Sequence, residues 1–133
     1  MTEFFMPMIP PTVTAQEHKV SAVKGKPVFY DTPELKNARD KLMANLISHK
    51  PEMMYEHGVR LTVKWCFYDK SGRHRDGEYR TTRPDTDNLQ KLLKDCMTAC
   101  KFWKDDALAA SEICEKFWVN KSPSGIYIKI EEL

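Results

Sequence analysis

The chain has 133 residues, 41% of them hydrophobic and 30% charged. That leaves room for one domain (residues 1–133) with a hydrophobic core, too little for a multidomain enzyme, and it excludes a disordered polypeptide. Net charge is only +2, but it is uneven: residues 1–84 carry 14 Lys and Arg against 10 Asp and Glu, and residues 85–133 carry 7 against 9.

The start, Met1-Thr-Glu-Phe-Phe-Met-Pro7, has no basic stretch and no long apolar run. Neither a secretory signal nor a membrane span is expected, and a cytoplasmic setting is the natural reading. Residues 3–9 read as a short strand. Pro7 cannot donate to a ladder, so the strand is expected at a sheet edge or with a bulge. Residues 12–31 show no helical period and read as a basic loop or loose hairpin carrying His18, Lys19, Lys24 and Lys26. Thr32-Pro33-Glu34 is a helix start, with a cap, a proline at the first position and an acid. Leu35, Ala38, Leu42, Leu46 and Ile47 form the stripe of a helix running to about Ser48. From Val59 to Tyr68 apolar and polar residues alternate, which predicts a strand. Asp69-Lys-Ser-Gly72 is a turn. After it come Arg73, Arg75, Arg80 and Arg83, a positive segment suited either to a solvated tip or to clamping a phosphate backbone.

Pro84 disfavours helical geometry at Arg83, so the next helix begins after it. Leu89, Leu92, Leu93, Cys96, Met97 and Cys100 make its apolar stripe, with Gln90, Lys91, Lys94, Asp95 and Thr98 opposite. Residues 113–120 and 126–130 read as strands joined by the turn Lys121–Gly125, together a C-terminal hairpin. The four cysteines match no zinc spacing and read as small core residues of a reduced protein. These elements predict an α+β fold: a mainly antiparallel sheet with two helices packed on it, in the order β-α-β (hairpin extension)-α-β-β.

The central helix is flanked by carboxylate pairs, Asp85 and Asp87 before it and Asp105 and Asp106 after it. Asp85, Thr86 or Asp87 can cap the helix, which accounts for one acid or both of them. It does not account for Asp105-Asp106, or for Lys91 one turn after Asp87. Gathered carboxylates stay ionised together only if a cation joins them, and oxygen-only sites suit Mg²⁺ or Mn²⁺. A neighbouring lysine points to phosphoryl chemistry, in which metals hold the phosphate and activate water. The acids must first meet. A helix from Asp87 to Cys100 spans about 20 Å, and the step from Cys100 to Asp106 reaches at most about 20 Å. Either that step runs back nearly straight, or the helix is shorter, or a second subunit completes the group.

Pro84-Asp-Thr-Asp-Asn-Leu-Gln-Lys91, then Asp95, then Phe102-Trp-Lys-Asp-Asp106, resembles the signature of the RusA-type Holliday junction resolvases, small metal-dependent crossover-junction endodeoxyribonucleases. The close match spans residues 83–106. Leu108 stands where family members often carry Gln, and Lys101 where glycine is common. The resemblance implies that Asp85, Asp87 and Asp106 are catalytic and hold Mg²⁺ or Mn²⁺, that Lys91 is needed, and that Asp105 assists. It also favours Lys19, Lys24, Lys26, Arg73, Arg75, Arg80 and Arg83 as DNA contacts, and a bacterial or phage-borne source. A four-way junction has two strands to cut symmetrically, so a homodimer is the expected partner state. The other readings are a non-catalytic DNA-binding dimer, a nuclease of other branched DNA, and, least favoured, a metal-dependent phosphatase or sugar transferase built on Asp-x-Asp.

Overall fold

The computed structural model describes residues 1–14, 18–23 and 26–133, with side chains from Met1 to Thr14 and from Thr32 onward. Among the described residues the main elements are β1 (Thr2–Pro7), β2 (His18–Val23), β3 (Lys26–Asp31), α1 (Pro33–Leu46), β4 (Val59–Tyr68), β5 (Glu78–Tyr79), α2 (Thr86–Ala99), β6 (Ala109–Val119) and β7 (Gly125–Glu132). Strands β2 and β3 pair with each other as a two-stranded antiparallel sheet. Within residues 12–31, the described residues 18–23 and 26–31 therefore take the hairpin alternative.

The main sheet has the order β1-β7-β4-β6-β5. It is mostly antiparallel, with β4 and β6 running parallel. The α+β class holds, and β1 takes the expected edge. Two expected pairings differ. Strands β6 and β7 do not form a hairpin: β4 lies between them and pairs with both. Likewise β5 does not return to β4 but pairs with β6, through Glu78–Trp118 and Tyr79–Phe117. Alternating patterns fix which face a strand buries, not which neighbour it takes. Strand β6 also starts earlier than residue 113, at Ala109.

Both helices pack on one face of the sheet. Leu61, Val63, Trp65 and Phe67 of β4 and Ile126, Ile128 and Ile130 of β7 are buried with Leu35, Ala38, Leu42 and Leu46 of α1 and Leu89, Leu92, Leu93, Cys96 and Met97 of α2. Ile47 departs from its predicted stripe: it falls after α1, in a 3₁₀ turn, and is exposed. Gly125 is required by a close approach, since a Cβ there would lie 2.3 Å from the Met6 carbonyl oxygen. It lets β1 lie against the start of β7.

Candidate functional site

Helix α1 starts as expected, with Thr32 accepting from the Leu35 N–H, but Asp85, the N-cap residue of α2, makes no capping bond with its side chain. The capping explanation for that acid therefore fails. Asp87 follows in the first turn. Neither carboxylate, nor that of Asp106, has a hydrogen-bond or ion-pair partner among the described residues. Asp105 differs. Its Oδ1 accepts from the Ala107 N–H at 2.9 Å, capping the 3₁₀ turn Asp106–Leu108.

The returning segment after α2 does approach the start of that helix. Helix α2 keeps its full length, and the chain then doubles back. Phe102 and Trp103 are fully buried, with the Trp103 Nε1 donating to Thr98 Oγ1 at 2.7 Å. The Tyr55 N–H donates to the Phe102 carbonyl at 2.9 Å, and Tyr55 bridges Trp103. So anchored, the returning segment packs the turn Asp106–Leu108 against α2. A cleft of about 400 Å³ runs along α2 and is lined by Thr86, Asp87, Gln90, Lys91, Lys94, Asp106, Glu112 and Cys114. Asp87, Lys91 and Asp106 thus share one opening within a single chain. Asp85, which immediately precedes Thr86, does not line this cleft, and Asp105 lines a separate depression with Glu56, Lys104 and Leu108.

Lys91 is largely exposed and pairs with Asp95 at 3.6 Å, a weak surface ion pair. Gln90, expected on the solvent side, is buried. It accepts from Trp65 Nε1 at 3.2 Å and donates to Glu112 Oε2 at 3.4 Å. The indole N–H needed a partner inside the core, and an amide on the boundary of the helix stripe supplies it. Glu112 is held from its other oxygen by Lys94. Burial raises the Cys114 thiol to about 11.

Strand β6 does more for this site than its sequence announced. Register with β4 puts Glu112, Cys114, Lys116 and Trp118 on the helix-bearing face. Each meets the segment leading into α2 or α2 itself. Glu112 holds Gln90 and Lys94, the Cys114 Sγ faces the Thr86 carbonyl at 4.0 Å, Lys116 holds the Thr82 and Pro84 carbonyls, and Trp118 stacks on His74 and Arg80. The period-two spacing of 112, 114, 116 and 118 was the available signal; the partners across it were not.

The predicted DNA contacts divide. Arg73, Arg75 and Arg83 are exposed. Arg80 is turned inward, its guanidinium 4.3 Å from the Phe67 ring centre and 4.4 Å from that of Trp118. Lys24 lies outside the described residues, and Lys19 and Lys26 are placed only by the backbones of β2 and β3.

Oxygen donors without competing partners suit a hard divalent ion. The fit is one of donor type: among the described residues no three His, Cys, Asp or Glu side chains gather into a ready-made metal cage. Also among them, no helix is long and apolar enough to cross a membrane.

The profile of the family described as "Endodeoxyribonuclease RusA" matches residues 9–131. A relative from Lactococcus phage r1t, named "Crossover junction endodeoxyribonuclease rusA", is 34% identical over 132 residues, 98% of this chain and 96% of that protein. A match over nearly the whole length places the chain in the RusA endodeoxyribonuclease family.

Proposed function

We propose that the protein is a structure-specific endodeoxyribonuclease that resolves crossover (Holliday) junctions by paired phosphodiester hydrolysis. The observation that carries this reading is the whole-length likeness to a protein named for that activity. The cleft along α2 offers the groups such chemistry needs. Asp85, Asp87 and Asp106 are the residues that would hold Mg²⁺ or Mn²⁺. When bound, the ion supplies Lewis-acid help to the phosphoryl group and makes water a better nucleophile. Lys91 places an ammonium where charge develops on the phosphoryl oxygens or the leaving oxygen. Asp105 supports the Asp106 turn through its cap. Arg73, Arg75 and Arg83 contact the DNA backbone, with Lys19, Lys24 and Lys26 on or beside the β2–β3 hairpin. Arg80 acts indirectly, by bracing the loop that presents Arg83.

A four-way junction presents two equivalent strands, so the working unit is a homodimer with one cleft per subunit. The test is a cleavage assay on four-way junction, Y-fork and linear duplex, each with Mg²⁺, Mn²⁺ or EDTA. Preferred, paired incision of the junction only with metal is expected. Asp85→Asn, Asp87→Asn and Asp106→Asn should each lower cleavage by at least about a thousandfold, comparable with losing a principal transition-state stabiliser, while junction binding in Ca²⁺ persists. Full activity in any one variant removes that residue from the mechanism. Tight junction binding without cleavage under any metal would make the protein a binding module instead.

A further inference from the structure

The segment entering α2 is held in an unusual way. Three successive carbonyls, of Thr82, Arg83 and Pro84, all accept from cationic side chains. Lys116 Nζ donates to Thr82 O at 2.8 Å and to Pro84 O at 2.7 Å, while Arg80 Nη2 donates to Arg83 O. Arg80 Nε adds a bond to Thr82 Oγ1 at 3.2 Å. Lys116 reaches the segment from β6, whose backbone is tied to the same stretch by the Arg80 N–H donating to the Lys116 carbonyl at 2.9 Å. Pro84 is buried, and the next residue is Asp85, whose carboxylate has no bond of its own to fix it.

We infer that Lys116 is a positioning residue for Asp85, a cation that touches neither DNA nor metal and sets the acid's direction by gripping the backbone on either side of Arg83. A helix N-cap is ordinarily aimed by its own side-chain bond to the first turn. Here that bond is missing, so the acid remains available for a ligand and its aim comes from the residues before it. Lys116 is suited to this because one ammonium has three donors and can bridge two carbonyls at once. It makes no hydrogen bond to the Asp85 carboxylate. Neutral replacement would leave two carbonyls short of a donor and let the entry to α2 relax, with the metal-holding geometry loosened while the core of α2 stays packed.

The inference rests on the proposed metal role of Asp85, and the experiment separates the two. Full-length wild type, Lys116→Met, Lys116→Arg and Asp85→Asn are compared by three readouts: Mn²⁺ affinity by calorimetry without DNA, kcat and KM on a four-way junction in Mg²⁺, and melting temperature. Lys116→Met should weaken Mn²⁺ binding and lower kcat, each by about 10- to 100-fold, as losses of supporting contacts around metal ligands do. KM should change little, and Lys116→Arg should recover most of both losses. Wild-type Mn²⁺ affinity and kcat in Lys116→Met overturn the assignment, as does a loss that merely tracks the melting temperature across variants. Should Lys116→Met not fold, Lys116→Gln, which keeps a donor, carries the same comparison. If Asp85→Asn is inactive while Lys116→Met is normal, only the positioning role falls. If Asp85→Asn binds Mn²⁺ and cleaves normally, the metal reading of Asp85 falls and the positioning role falls with it.

Discussion

Lys101 adopts a φ of 67°, in the left-handed region that favours glycine. It does so because it closes α2: its N–H donates to the Thr98 carbonyl at 3.1 Å, and the Phe102 N–H donates to the Met97 carbonyl at 3.0 Å. These are the two bonds of a Schellman ending, completed by buried Phe102 and Met97. Lys101→Gly should therefore stabilise the protein by about 1 kcal/mol, read as a higher urea midpoint at unchanged slope. A lower midpoint would show that Lys101 has a compensating contact. The same position explains why glycine is common there among the resolvases that the motif resembles. At this scale the sequence was legible where chemistry is local. The Thr32 cap, the apolar stripe of α2 and the Asp85, Asp87, Lys91 and Asp106 pattern are all visible in one dimension. Gln90 was not, because its burial answers a demand made by Trp65, 25 positions away.

Among the elements, the loop from β4 to β5 is more ordered than a basic hairpin tip needs to be. Asp69 accepts from the Ser71 N–H and hydroxyl and from the His74 N–H. Asp76 accepts from the N–H groups of Asn120, Lys121 and Ser122 and from the Ser122 hydroxyl, tying this loop to the turn between β6 and β7. Those bonds hold both carboxyls below their ordinary range, the Ser122 hydroxyl contributing most at Asp76 and the Ser71 hydroxyl most at Asp69. A depressed folded-state pKa gives stability that is fully present above the unfolded value, near 4, and fades as pH falls through the folded one. Melting temperature should hence decline as pH drops below about 4. Asp76→Ala should lower it at pH 7 and make the acid decline shallower. A pH profile parallel to wild type would mean other groups control acid unfolding. The hairpin misreading belongs to this scale too. Lys121–Gly125 is a good turn, but it connects two strands that both chose β4, and nothing within residues 113–130 encodes that choice.

For the molecule as a whole, three acids, Asp87, Asp106 and Glu112, line one cleft, while Arg73, Arg75 and Arg83 stand exposed on the stretch that leads into it. Divalent ions would reverse the sign of that cleft, so affinity for a four-way junction should rise about tenfold when EDTA is replaced by Ca²⁺, and fall steeply with added salt. Equal affinity in both would detach DNA recognition from the acids. The cleft itself depends on how many residues separate Asp87 from the Schellman ending, which makes α2 a ruler. One residue added or removed between Lys91 and Cys100 would shift the exit by about 1.5 Å and swing it by about 100°. Asp106 would then leave on another bearing, however well the altered helix folded. Changes of spacing inside residues 87–100 should accordingly be lethal to activity, whereas the tip around Gly72 can vary in length without disturbing where the acids stand.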